Sequence, residues 1–167
     1  MYYFELFEIP ISLKVNKTEI LKKYYQLSKK YHPDNFTLDN EESQVLAEKM
    51  SAKINEAKKI LDDAYHRLAY ILEEKNIIDA DEKYTLSPMF LGEMMDINEA
   101  LMDIEMNEPK SEYNQIKNEI SSIENDIYQP IKKYFDMDIL NVSQEEFLQL
   151  KDFYFKQKYL NRIKEKL

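Results

Sequence analysis

The sequence predicts an all-α protein, and three observations support this fold class. The 167 residues include one glycine and five prolines, and such scarcity of helix-breaking residues is typical of helical chains. Hydrophobic residues make up 44% of the chain and recur every three or four positions in its long stretches, as on one face of a helix. Residues 76–87 are polar and lack this period. We therefore expect a domain over residues 1–75, a linker, and a three-helix bundle over residues 88–167.

The first domain begins with two predicted helices. Residues 1–9 form a short helix ended by Pro10, because proline lacks the backbone N–H that a helix needs; its buried side contains Tyr3, Phe4, Leu6 and Phe7. Asn16 and Glu19 have the spacing of an approximate capping box, so the second helix should run from there to about Tyr31. Its apolar face contains Ile20, Leu21, Tyr24, Leu27 and Tyr31, and its opposite face contains Lys22, Lys23, Gln26, Lys29 and Lys30.

A third predicted helix, residues 41–74, completes the first domain and packs antiparallel to the second. Its core stripe contains Leu46, Met50, Ile54, Ala57, Leu61, Ala64, Leu68 and Ile71. His66 lies near its end and is expected on the surface or in packing, without a functional role. The lysines of the second helix have two interpretations: a solvated surface, or a docking face for an acidic partner, which the acidic remainder of the chain favours.

The bundle is predicted from three further stretches. Ser87 and Pro88 begin a helix that runs to about Asn107. Residues 110–135 carry a heptad-like seam in which Pro130 should kink the helix; the seam contains Tyr113, Ile116, Ile120, Ile123, Ile127, Ile131 and Tyr134. The last helix starts at the capping box of Ser143 and Glu146, with Val142 as a hydrophobic staple. Its pattern contains Phe147, Leu150, Tyr154, Leu160, Ile163 and Leu167.

Composition excludes several kinds of function. Without cysteine there is no disulfide, no thiolate nucleophile and no cysteine-ligated zinc. The two histidines, His32 and His66, lie on different predicted elements, so we expect no metal site and no cofactor. Gly92 is the only glycine, which excludes a glycine-rich phosphate loop.

The charge of the chain bears on its partners and location. A net charge of −9 disfavours nucleic acid as a partner. No apolar run approaches the length of a membrane span, and no targeting pattern opens the chain. We therefore expect a cytoplasmic protein that binds neither nucleic acid nor membranes.

The central motif is Tyr31-His32-Pro33-Asp34, which follows the lysine-rich helix. Pro33 pushes the preceding residue out of helical geometry, so His32 and Asp34 should lie on a loop that two helices support. Such loops often carry function. The two side chains could form an acid–base pair, but no pocket is visible around them, so we expect no catalytic residue and no enzyme activity.

The predicted helix 88–107 has two apolar faces. Counting ~100° per residue, the core face contains Phe90, Met94, Ile97, Leu101 and Ile104. An outward ridge of Leu91, Met95 and Met102 is bordered by the acids Asp96, Glu99 and Asp103. Two interpretations stay open: the ridge packs against the first domain, or it is a protein-docking surface, for which flexible methionines are suited.

These residues resemble a known family. The motif at residues 31–34, placed after a lysine-faced helix, together with Ile54-Asn55-Glu56-Ala57 and Leu61, resembles a J-domain. The opening residues, Ala69-Tyr70-Ile71-Leu72 and the stretch 90–105 resemble the HscB family of J-type co-chaperones of iron–sulfur cluster biogenesis. The resemblance covers nearly the whole chain and implies an L-shaped molecule with a J-domain and a C-terminal bundle.

The resemblance also implies partners and site residues. A J-domain binds a DnaK-class chaperone, HscA where one exists, and stimulates its ATPase without activity of its own. Residues matching the chaperone-binding site are His32, Pro33, Asp34, Lys22, Lys23, Lys29 and Lys30, with Asp34 suited to engage a cationic group. The bundle would hold the iron–sulfur scaffold protein IscU, and the matching residues are Leu91, Gly92, Met95, Asp96, Glu99, Asp103 and Phe155.

Two positions depart from the family pattern. Gly92 stands where a bulky apolar residue is common, which removes contact area, and Asn35 replaces a common lysine. Two alternatives to the implied function stay open. One is a J-domain co-chaperone with a different client, and the other is a purely structural helical protein with an incidental motif.

Overall fold

A computed structural model describes residues 1–79, 81–107 and 112–167 of the chain. Within these ranges the protein is all-α, as predicted, with no β-strand. The helices are α1 Tyr2–Leu6, α2 Lys17–Lys30, α3 Glu41–Asp62, α4 Ala64–Glu74, α5 Pro88–Asn107, α6 Glu112–Tyr128 and α7 Gln144–Lys164. The chain divides into two compact units. Unit 1 is Met1–Asn76 with Tyr134–Asn141, and unit 2 is Ile77–Lys133 with Val142–Leu167.

The start of unit 1 follows the predicted pattern with a shorter first helix. α1 ends at Leu6, before Phe7, and the backbone of Glu8 turns with a φ of 51°. Phe4 and Phe7 are fully buried, whereas Tyr3 and Leu6 are only half-buried. The Asn16 side chain accepts hydrogen bonds from Thr18 N and Glu19 N, so the predicted cap that starts α2 is formed.

The prediction of one continuous helix over residues 41–74 is wrong. Asp63 adopts an extended conformation with φ −95° and ψ 126°, which separates α3 from α4. Its carboxylate accepts a hydrogen bond from the backbone N–H of His66 at 2.8 Å. Asp63 therefore acts as the N-cap of a new helix, a role for which aspartate is among the preferred residues.

Three predicted core positions of unit 1 are exposed. Leu21 and Leu46 are 42% and 58% exposed, and Ala64 is exposed in the first turn of α4. Ala47 occupies the buried position on α3 that was assigned to Leu46. Among the other predicted positions of α3 and α4, Met50 is half-buried. The rest are buried, namely Ile54, Ala57, Leu61, Leu68 and Ile71.

The core of unit 2 comes from α5, α6 and α7. The five predicted core residues of α5 are each at most 3% exposed. They pack with Ile116 and Ile120 of α6 and with Leu160 and Ile163 of α7, while Tyr113, Ile123 and Ile127 are partly buried against this cluster. The start predicted for the second bundle helix, at residue 110, lies outside the described residues.

Pro130 ends α6 as a regular helix. The chain continues as a 3₁₀ helix over Gln129–Asp136, because proline cannot donate the backbone hydrogen bond of an α-helix. Ile131 is buried, and so is Tyr134, which belongs to the segment that groups with unit 1.

α7 begins with the predicted capping box. Ser143 Oγ accepts from the N–H of Glu146, and the Glu146 carboxylate accepts from the N–H of Ser143. Val142 is 8% exposed and Phe147 is 5% exposed, consistent with the predicted hydrophobic staple.

The segment that follows α4 is fixed to α7 within unit 2. Tyr84 stacks on Phe155 with 4.5 Å between ring centroids, and its hydroxyl donates to Asp152 at 3.0 Å. Lys151 donates to the carbonyl of Ile77 at 2.8 Å and pairs with Glu82 at 2.5 Å. These contacts fix a segment in which the sequence shows no periodicity.

None of the helices in the described ranges has both the length and the apolar composition that crossing a bilayer requires.

Candidate functional site

The loop at residues 32–34, named the HPD loop after its residues His32, Pro33 and Asp34, lies directly after α2. The last helical residue is Lys30, and the N–H of Tyr31 still donates to the carbonyl of Leu27 at 2.9 Å. His32 then has an extended backbone, with φ −65° and ψ 128°, as expected for a residue before proline. Pro33 opens a short 3₁₀ helix, Pro33–Phe36. The predicted end of the helix near Tyr31 is therefore confirmed.

His32 and Asp34 form a local pair at the surface. The backbone N–H of Asp34 donates to His32 Nδ1 at 3.3 Å, and Asp34 Oδ2 lies 3.6 Å from the same nitrogen. The two side chains remain 57% and 84% exposed. An N–H donor to Nδ1 requires that nitrogen to be unprotonated, so the neutral ring carries its proton on Nε2. The pair thus offers an N–H donor and a carboxylate to another molecule.

The segment between α2 and α3, residues 31–40, which contains the HPD loop, is tied to both helices. The Asn35 side chain donates to the carbonyl of Lys29 at 2.8 Å, one of the carbonyls that the end of α2 leaves without a helical partner. Thr37 Oγ1 donates to the carbonyl of Asp34 at 3.3 Å. On the other side, Gln44 of α3 donates to the carbonyl of Asp39 at 3.0 Å. Side-chain hydrogen bonds therefore hold this segment to α2 at one end and to α3 at the other.

The four lysines of α2 that were predicted to form its basic face are not equivalent. Lys22, Lys29 and Lys30 are exposed, and the Lys30 ammonium lies 5.0 Å from the ring centre of Tyr31. Lys23 is only 25% exposed and pairs with Glu8, and this pair lowers the pKa of the Glu8 carboxyl. A carboxylate already balances the charge of Lys23, so three lysines of the predicted basic face remain exposed beside the HPD loop.

The outward face of α5 is exposed along its length. Leu91, Met95 and Met102 are 36%, 63% and 60% exposed. Asp96, Glu99 and Asp103 are exposed beside them, as is Gly92, where an added Cβ would have no neighbour within 4 Å. Six of these exposed residues are named the α5 strip: Leu91, Gly92, Met95, Asp96, Glu99 and Asp103.

Phe155, the residue of α7 expected at the scaffold contact, is buried, and its role as a scaffold contact stays a prediction. It is 9% exposed because Tyr84 covers its ring in a nearly parallel stack, with 7° between the planes. Tyr84 comes from the segment without periodicity, so no helical pattern indicates that it covers this ring.

Sequence reasoning also missed Arg67, a buried charged residue at 5% exposure. Its guanidinium donates to the carbonyl of Leu13 from two nitrogens, at 3.1 and 2.8 Å, and to the carbonyl of Leu61. Burial lowers the pKa of this guanidinium. Arg67 thus binds the end of α3 and the chain before α2, and its role is structural.

The other histidine lies at the surface, as expected. His66 Nδ1 lies 3.2 Å from Asp63 Oδ1, and the side chains are each 52% exposed. Among the described residues, no group of three or more histidine, cysteine or carboxylate side chains could hold a metal ion.

Two family models match the chain in tandem. The DnaJ domain matches residues 3–70, and the HSCB C-terminal oligomerisation domain matches residues 86–167. The first match contains the HPD loop, and the second contains the α5 strip.

Curated relatives and solved structures agree with these matches. A co-chaperone protein HscB homolog of Vibrio parahaemolyticus is 34% identical over 113 residues, 66% of each chain. A Vibrio cholerae homolog is 36% identical over 105 residues, covering 62% of this chain and 61% of its own. The matches thus span slightly less than two thirds of these relatives.

The structural matches extend further along the chain. Human co-chaperone protein HscB has a TM-score of 0.83 at 26% identity, covering 99% of this chain and 80% of its own. Chaperone HscB from Vibrio cholerae has a TM-score of 0.78 at 25% identity, covering 99% and 94%. With a DnaJ domain at the HPD loop, an HscB-type domain at the α5 strip and this likeness in fold, the chain belongs to the HscB family of J-domain co-chaperones.

Proposed function

We propose that this protein is a cytoplasmic co-chaperone that stimulates the ATPase of a DnaK/HscA-type chaperone and delivers the iron–sulfur scaffold protein IscU to it. The observation that carries the proposal is the HPD loop. Its imidazole and carboxylate are exposed, and the Asn35 side chain, next to them in the chain, donates to the carbonyl of Lys29 at the end of α2. Exposed groups on a loop between two helices are well placed to bind another protein.

The charges beside the loop support binding to an acidic surface of the chaperone. Lys22, Lys29 and Lys30 are exposed on α2 and lead into the loop. The Asp34 carboxylate is available for a cationic group of the partner, in a charge-assisted hydrogen bond. Lys23 contributes less, because Glu8 balances its charge. The protein itself carries out no reaction in this proposal; it changes the rate of the partner's ATP hydrolysis.

The α5 strip is the proposed scaffold-binding surface. An exposed leucine and methionine beside three carboxylates provide an apolar contact whose polar edge selects partners. Binding the scaffold on one unit and the chaperone on the other raises the effective concentration of the scaffold near the chaperone. Cluster transfer would follow capture of the scaffold by the chaperone.

The chaperone part of the proposal is tested by steady-state ATPase measurements with His32→Gln. We expect this variant to lose stimulation of the host DnaK-class chaperone while keeping its helical circular dichroism, because the side chain is exposed. His66→Gln is the matched control, since His66 is similarly exposed and also lies beside an aspartate. Undiminished stimulation by His32→Gln would refute the assignment.

The scaffold part is tested by calorimetric titration with IscU. Met95→Ala combined with Glu99→Ala should weaken scaffold binding and leave basal ATPase stimulation intact. Leu148→Ala is the control, because Leu148 is 57% exposed on α7 and lies outside the strip. If IscU binds the double variant at wild-type affinity, the docking surface lies elsewhere. If IscU does not bind the wild-type protein, a J-domain co-chaperone with a different client becomes the better description.

A further inference from the structure

Unit 2 contains a second surface feature, a basic cavity of about 290 Å³. It is lined by Asn98 of α5 and by Tyr159, Arg162, Ile163 and Lys166 of α7 and its C-terminal end. Arg162 and Lys166 are both exposed. Two cationic side chains that converge on one cavity are notable in a chain with a net charge of −9.

The two cations have no acidic partner among the described residues, unlike three lysines of α7. Lys151 pairs with Glu82 at 2.5 Å, Lys156 with Asp152 at 2.6 Å, and Lys164 with Glu124 at 2.9 Å. In the part of the chain that is described, Arg162 contacts the Tyr159 ring at 5.1 Å from its centre. Lys166 donates to Asn98 Oδ1 at 3.3 Å.

The cavity borders the apolar ridge of α5. Asn98 lies three residues after Met95 and four residues before Met102, and residues at these spacings are neighbours on one helix face. The acids of the α5 strip lie on the other side of the ridge, ~40–100° further round the helix than Met95. The ridge therefore has an acidic edge and a basic edge.

We propose that this cavity is a carboxylate-binding subsite that holds an aspartate or glutamate side chain of the protein segment docked on the α5 strip. The inference rests on the proposed function of the strip and adds a second, oppositely charged contact to it. A segment that fits both edges carries a basic side chain, an apolar stretch and an acidic side chain in that order across the ridge. The opposite charges would fix the direction in which the segment lies.

The chemistry of the cavity suits a carboxylate. A guanidinium donates two parallel hydrogen bonds to a carboxylate, and stacking on an aromatic ring restricts its movement before binding. Asn98 Oδ1 similarly holds the Lys166 ammonium next to the cavity. Both cations are therefore partly positioned in the free protein, which lowers the entropic cost of binding.

The test uses calorimetric titration of the full-length protein with IscU. Arg162→Ala should weaken binding about fivefold, near the upper limit for an exposed ion pair, and Arg162→Ala with Lys166→Ala about tenfold. The double variant should also reduce the dependence of affinity on salt concentration. Lys117→Ala is the control, since Lys117 is exposed on α6 of the same unit and outside the cavity. Urea unfolding of each variant verifies that the fold is kept.

The outcomes separate the inference from the proposal on which it rests. If Met95→Ala with Glu99→Ala weakens IscU binding while the two cation variants bind like the wild type, the subsite is refuted and the scaffold-binding strip stands. If neither set of variants affects binding, both are refuted. An equal loss of IscU affinity in Lys117→Ala would also overturn the subsite, because the effect would then come from net charge and not from the cavity.

Discussion

The backbone N–H of Asp34 donates to Nδ1 of His32, with 3.3 Å between the two nitrogens. The Asp34 carboxylate lies 3.6 Å from that same ring nitrogen. The relative position of the two side chains is therefore set by contacts within three consecutive residues. Since both side chains are exposed, substitutions here should change what the loop offers to a partner without changing the stability of unit 1.

Asp34→Asn tests whether the loop acts on a partner without contributing to the stability of unit 1. Asparagine keeps the backbone donor to His32 and nearly the same side-chain shape but removes the negative charge. We expect the free energy of unfolding to change by less than about 0.5 kcal/mol, as for most exposed substitutions, and stimulation of the chaperone ATPase to be lost. Asp39→Asn is the control, because Asp39 is an exposed aspartate between α2 and α3 but outside the HPD loop. Full stimulation by Asp34→Asn would mean that the charge takes no part in the contact.

Asn35→Ala tests how the loop is held. The Asn35 side chain donates to the carbonyl of Lys29 at the end of α2, and losing one such bond costs about 1 kcal/mol. We expect a lower urea midpoint and weaker, but not abolished, ATPase stimulation, because the loop becomes less ordered while His32 and Asp34 remain. Asn35→Lys, which restores the residue common in the family, should show the same loss of stability. An unchanged midpoint in both variants would contradict a role for this bond.

The two faces of α5 were predictable because they depend on local helix geometry alone. Counting residues around one helix separated Met94 and Ile97, now buried, from Met95, now exposed. The break at Asp63 could not be predicted in this way. The apolar spacing continues through it from Leu61 to Leu68, so periodicity gives no sign that the helix stops.

Contacts between distant residues explain two features that the sequence pattern did not indicate, the burial of Arg67 and the burial of Phe155. Arg67 is buried because it binds the carbonyl of Leu13, 54 positions away in the chain. Phe155 is covered by Tyr84, which lies in a segment without any period. Such pairings require the folded chain, and no pattern within one helix indicates them.

Arg67→Met should strongly destabilise unit 1. The substitution keeps most of the apolar side-chain volume but leaves the carbonyls of Leu13 and Leu61 without their buried donor. Each unsatisfied group costs about 1–3 kcal/mol, so we expect a loss of about 2–4 kcal/mol in urea unfolding. Arg162→Met is the matched control at the other arginine, which is exposed, and should change stability by less than about 0.5 kcal/mol. Similar stabilities for the two variants would show that the Arg67 hydrogen bonds contribute little.

Glu146→Gln should reduce the dependence of stability on pH. Hydrogen bonds from the backbone N–H and the hydroxyl of Ser143 lower the pKa of the Glu146 carboxyl below its ordinary value of 4.5. Its stabilising contribution is therefore complete above pH 4.5 and is lost as the pH falls through the lower pKa of the folded state. Glutamine can still accept the cap hydrogen bond but does not titrate. The urea midpoints of the two proteins should differ most near pH 6 and converge below that lower pKa; a constant difference down to pH 3 would contradict this contribution.

Gly92→Leu tests whether the α5 strip binds the scaffold through apolar contact. An added side chain meets open space, since a Cβ at this position has no neighbour within 4 Å, and replacing a helical glycine stabilises the helix by about 1 kcal/mol. If the strip is the docking surface, the leucine should also bury against IscU and raise affinity about tenfold, corresponding to roughly 1.5 kcal/mol of apolar burial. Gly92→Ala is the control, because it provides the gain in helix stability with little new contact area. Weaker binding by Gly92→Leu, with the helix stabilised, would mean that the partner approaches the α5 backbone too closely at this position for any side chain.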